Sequence, residues 1–69
     1  MSPDKLAYMA NQIGTFFKSQ KNEDAVASIA DHLTKFWDPR MRRAFLAHLD
    51  EVTLDPAVRQ AAERIRTPA

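Results

Sequence analysis

The sequence predicts an all-α fold, a small single domain over residues 1–69 built from three to four helices. Three observations carry this. The chain has one glycine and no alternating apolar–polar run that reads as a strand. Its apolar residues recur at helical spacing. Three times a capping side chain stands directly before a proline, as Ser2-Pro3, Asp38-Pro39 and Asp55-Pro56. Proline suits the first helical position, where its missing N–H would lack a partner anyway, and the Ser or Asp oxygen accepts from an N–H one turn in.

The first helix is expected over 3–18, with Leu6, Met9, Ile13, Phe16 and Phe17 as its buried stripe. The second is expected over 23–37. It starts at Asn22, with Glu23 and Asp24 favouring the positive helix end, and carries Val26, Ile29, Leu33, Phe36 and Trp37. The two segments match at an offset of 20 residues, "AYMANQIGTFF" (7–17) against "ASIADHLTKFW" (27–37). Ala10 and Ala30 occupy equivalent places, where small side chains let helix axes approach. The short polar linker 18–22 implies an antiparallel helical hairpin, followed by two shorter helices. Asp38 caps the third, over 39–51, which turns Met41, Phe45, Leu49 and Val52 inward, with Leu46 extending the face. Asp55 caps the fourth, over 56–66, with Val58, Ala61, Ala62 and Ile65; Thr67-Pro68 ends it.

Several function classes are disfavoured. Without cysteine there is no disulfide and no thiolate metal site, which fits a reducing cytoplasm. No apolar run resembles a signal peptide or a membrane span. A net charge of +1 gives no general pull towards nucleic acid or acidic lipid. His32 and His48 lie on different helices beside apolar stripes, as core-edge residues do, and a metal site needs more ligands than these. No catalytic, cofactor-binding or metal-ligating set is expected.

The stretch "FWDPRMRR" (36–43) raises the question of a partner. Phe17 and Trp37 close equivalent stripes and read as core, while Asp38 and Pro39 read as a helix cap. "DPAV" (55–58) opens the last helix in the same way without arginines, so the Asp-Pro pair needs no further role. Arg40, Arg42 and Arg43, however, stand at a helix N-terminus, where cations are disfavoured. Asp38 is spaced to pair with Arg42, but that accounts for one arginine of three. Arginine is suited to forked recognition of carboxylates and phosphates. The three are therefore candidate partner-binding residues, with Arg40 and Arg43 pointing outward and Arg42 nearer the core margin. Tyr8, about 140° around the first helix from its stripe at 100° per residue, is a fourth candidate, because tyrosine is enriched at interfaces.

"MANQIGTFF" (9–17) followed by "IADHLTKFWDPRMR" (29–42) resembles the small delta subunit of bacterial NAD-dependent, molybdenum-containing formate dehydrogenases, over roughly 6–49. The resemblance implies a non-catalytic accessory subunit or assembly factor in a large cytoplasmic complex, docking on the alpha subunit. That subunit holds the molybdopterin centre and oxidises formate, and iron–sulfur clusters and flavin on other subunits pass the electrons to NAD. The delta chain carries none of these cofactors. The alternative is a small helical nucleic-acid-binding module using Arg40, Arg42, Arg43, Arg59, Arg64 and Arg66. Nine acids among ten bases argue against it, as does the lack of a helix with base-reading polar residues.

Overall fold

A computed structural model describes residues 2–20 and 24–66. Four α-helices follow one another: α1 (Pro3–Ser19), α2 (Ala25–Phe36), α3 (Pro39–Ala47) and α4 (Pro56–Arg66). A short 3-10 turn, Leu49–Glu51, follows α3. There is no strand among the described residues, and the chain is all-α as its sequence predicts.

The capping grammar operates as read. Ser2 Oγ accepts from the Lys5 N–H at 3.2 Å, and Asp38 Oδ1 accepts from the Met41 N–H at 2.8 Å. At α4, Asp55 Oδ1 accepts from the Ala57 N–H at 3.0 Å. The start of α2 differs from expectation. Asp24 is its N-cap, accepting from the Ala27 N–H at 2.9 Å. Asn22 and Glu23 lie outside the described residues, as does Thr67-Pro68.

Two boundaries move for tertiary reasons. α3 ends at Ala47 rather than 51. The His48 N–H bonds to Phe45 O at 3.2 Å, an i→i−3 closure that tightens the chain into the 3-10 turn and seats Leu49 in the core. α2 ends at Phe36, and Trp37 leaves the helix with extended backbone (φ −88°, ψ 134°). That turn drives the indole inward, to 6% exposure, edge-on to Phe45 with ring centroids 5.4 Å apart.

The expected stripes are corrected at two places. Phe16 is 56% exposed and Phe36 is 73% exposed. In α1 the buried line runs through Leu6, Ala7, Ala10 and Gly14, and Phe16 lies about 200° around the wheel from Gly14. In α2 the inward-turned Trp37 takes the core position at that end, and the Phe36 ring packs outside, 4.7 Å from His32.

α2 packs most extensively on α4, and α1 touches all three other helices. The hairpin partners α1 and α2 are therefore in contact, but α4 supplies the larger part of α2's cover. At Gly14, α1 lies close against side chains of α2 and α4. A Cβ at this position would lie 2.5 Å from Val58 Cγ2 and 3.7 Å from Ile29 Cδ1, both residues fully buried. Loss of the side chain lets α4 sit directly on α1.

The segment 52–55 between the 3-10 turn and α4 is held to α1 by side chains. Asn11 Nδ2 donates to Thr53 O at 3.1 Å, and Asn11 Oδ1 accepts from the Asp55 N–H at 2.9 Å. Lys18 donates to Asp55 Oδ2, and this contact is the main cause holding the Asp55 carboxyl below its ordinary pKa. A depressed carboxyl pKa adds stability that is present above the unfolded value, about 3.9, and is lost as pH falls through the lower folded value. The melting-temperature difference between wild type and Lys18→Met is therefore expected to persist at neutral pH. It should shrink towards zero as pH falls through and below the lowered Asp55 value. A difference independent of pH would show that the pair adds nothing through Asp55 ionisation.

Candidate interaction surface

The corner between α2 and α3 holds the three arginines, and the fold treats them differently. Arg42 turns back onto the end of α2. Its Nη1 donates to Thr34 O at 3.0 Å, to Leu33 O at 3.5 Å and to Trp37 O. Those carbonyls belong to the last turn of α2 and its cap; Leu33 O also accepts from the Trp37 N–H at 3.3 Å, and the guanidinium adds a donor at a helix end where carbonyls run short of N–H partners. A cation there also meets the negative end of the helix dipole. The expected pairing of Arg42 with Asp38 is not made. Asp38 is engaged as the α3 cap, and the guanidinium bridges two helices instead.

Arg40 and Arg43 are both exposed. Neither side chain makes an ion pair or hydrogen bond among the described residues. With Asp38 and Pro39 they line an open hollow at the head of α3, and an adjoining hollow is lined by Leu6, Met41 and Ala44 with Asp38 and Arg40. The pair thus frames a surface with unspent charge at its rim and apolar side chains beside it. Tyr8 is exposed on α1, at 64%.

The remaining arginines of the expected basic surface are partly consumed. Arg59 Nη2 donates to Leu49 O at 2.8 Å, with Asp50 3.7 Å from its Nη1, and Arg66 pairs with Glu63 at 2.7 Å. Both histidines stay at core edges. The His32 ring lies between Phe17 and Phe36, and His48 ends α3 with its Nδ1 against Glu51. No group of three or more residues able to hold a metal ion occurs among the described residues. No helix among them is long and apolar enough to cross a membrane.

Three features escaped the sequence reading. The exposure of Phe16 and Phe36 contradicts simple periodicity and left no signal. The Asn11 clamp spans more than forty positions of chain and is likewise silent. Gly14 did leave one: it is the chain's single glycine, inside a helix, in series with Ala7 and Ala10. A glycine there costs helix stability unless close packing requires it.

No curated protein and no solved structure matches the chain. The family model for the NADH-dependent formate dehydrogenase delta subunit FdsD matches residues 5–62. This span takes in most of α1, α2, the arginine corner, α3 and most of α4, further along the chain than the motifs alone reach. The chain belongs to the family of NADH-dependent formate dehydrogenase delta subunits.

Proposed function

We propose that this chain is a non-catalytic accessory subunit or assembly factor of a cytoplasmic formate dehydrogenase, docking on the molybdenum-containing alpha subunit through Arg40 and Arg43. The observation that carries this is the contrast within one cluster. Arg42 is spent on the carbonyls of α2, while Arg40 and Arg43 stand exposed beside it without a partner, at a helix end that opposes their charge. Membership of the delta-subunit family supplies the setting. Carboxylates on the docking partner answer both the charge and the forked geometry of the guanidinium.

The nucleic-acid reading loses support from the same geometry. Arg42, Arg59 and Arg66 are held within the fold, leaving Arg40, Arg43 and Arg64 of the six.

The test is co-purification of the tagged chain from its native cytoplasm, with mass spectrometry identifying the alpha subunit. Replacing Arg40 and Arg43 together by Gln should leave the helical signal intact, or raise stability slightly. It should weaken binding by about 2–5 kcal/mol if the charges are buried in the complex. Formate-dependent NAD reduction in cells should fall with complex recovery. Unchanged recovery and activity would make the two arginines solvated surface residues.

A further inference from the structure

The two hollows at the α2–α3 corner share Asp38 and Arg40 in their walls. The larger, about 360 Å³, adds Pro39 and Arg43, and the smaller, about 120 Å³, adds Leu6, Met41 and Ala44. A charged subsite and an apolar one therefore adjoin across a single guanidinium. Asp38 is committed locally, since its Oδ1 accepts from the Met41 N–H at 2.8 Å. The Arg40 and Arg43 side chains make no ion pair or hydrogen bond among the described residues. The one acidic side chain outside those residues, Glu23, adjoins in sequence the cap of α2, about 18 Å of helix away from the corner.

We infer that the two hollows together receive one short segment of a partner protein, with an Asp or Glu side chain on Arg40 and Arg43 and an aliphatic side chain over Leu6, Met41 and Ala44. The inference rests on the docking reading above and adds the recognition chemistry of that surface. Charge complementarity selects the occupant. Two guanidiniums against one capping carboxylate leave one net positive charge in the larger hollow. A single carboxylate balances it, and its two oxygens suit the forked donors of a guanidinium. A nucleic acid brings a further phosphate with each nucleotide, against walls that otherwise hold Asp38 and apolar side chains. A basic segment meets two cations. The smaller hollow supplies the second point of contact. Leu6 is buried, and Met41 and Ala44 are half-buried. An aliphatic side chain placed there leaves water and also excludes water from beside Arg40. A drier surrounding strengthens the neighbouring ion pair, so the two contacts support each other.

The test titrates the full, isotope-labelled chain with blocked peptides and follows its amide and arginine signals by NMR. The probe is Gly-Glu-Gly-Leu-Gly, in which an extended backbone turns the Glu and Leu side chains to the same side. One control replaces its Glu by Gln, another replaces its Leu by Ser, and a single-stranded thymidine oligonucleotide serves as the polyanion. Signals of Leu6, Arg40, Met41, Arg43 and Ala44 should move together with the probe. Either control should bind about fivefold or more weakly, as loss of an exposed ion pair or of a buried aliphatic group implies. The Arg40→Gln, Arg43→Gln double variant should lose the response, and Ala44→Glu, which sets a carboxylate in the apolar hollow, should weaken it. Controls on the peptide side keep the test independent of how any variant folds. Equal binding by the Ser peptide would overturn the inference and leave docking through the arginines standing. Equal binding by the Gln peptide, or no response to any peptide, would overturn it as well. Tighter binding of the oligonucleotide would assign the surface to nucleic acid and overturn both readings. Alpha-subunit recovery by the double variant is measured separately. If it is unchanged while the probe binds as expected, the alpha-subunit reading falls and the acidic–apolar specificity stands.

Discussion

Trp37→Ala is expected to lower the stability of the isolated chain by about 3–5 kcal/mol, the range for removing a large buried aromatic. Trp37 is the single tryptophan, 6% exposed and edge-on to Phe45, which is itself fully buried. Two costs combine. The apolar area of the indole is no longer buried, and the cavity left beside Phe45 closes only in part, because interiors pack at near-crystalline density. The backbone adds a third. Trp37 O accepts from Arg42, so a collapse at this position also disturbs the junction of α2 and α3. Chemical denaturation followed by circular dichroism measures the effect. A variant with an unchanged midpoint that no longer bound the alpha subunit would move Trp37 from core to interface.

Gly14→Leu is expected to destabilise by about 3 kcal/mol or more, the upper end of overpacking costs. The first atom added already falls 2.5 Å from Val58 Cγ2. Val58 is fully buried and β-branched, with one strongly preferred rotamer in a helix, so it has no free direction to yield. The remaining atoms force α1 and α4 apart, and α4 is also the main cover of α2. Gly14→Ala separates the two contributions. It gains about 1 kcal/mol of helix propensity against the same Cβ contact, so its net loss should be much smaller. Denaturation midpoints of both variants against wild type decide the matter. A Gly14→Leu variant as stable as wild type would mean that α4 is free to move away from α1 without cost.

Much of the architecture is written locally. A capping oxygen acts on an N–H within its own turn, and proline constrains its own residue and the one before it. Ser2-Pro3, Asp38-Pro39 and Asp55-Pro56 could therefore be read without knowing what surrounds them, and all three open helices where expected. Helical periodicity is equally local, which is why Leu6, Ile29, Leu33, Phe45 and Val58 are core in both readings. The arginine cluster was visible as a local conflict between three cations and a positive helix end.

What periodicity cannot specify is where a stripe is cut by its neighbours. Phe16 and Phe36 fall at the edge of the expected stripes and lie outside, because the buried line of α1 is centred on Leu6, Ala7, Ala10 and Gly14 and the inward turn of Trp37 takes the core position at the end of α2. The fates of the three arginines separate for the same reason. Arg42 finds the α2 carbonyls only because a corner brings the end of one helix beside the start of the next, whereas Arg40 and Arg43 face away from it. The sequence by itself determined the four helices and the caps of three of them, since each depends on spacing along the chain. Which side chains are spent inside the fold and which remain for a partner was decided by the tertiary structure alone, because it depends on distances between residues far apart in sequence.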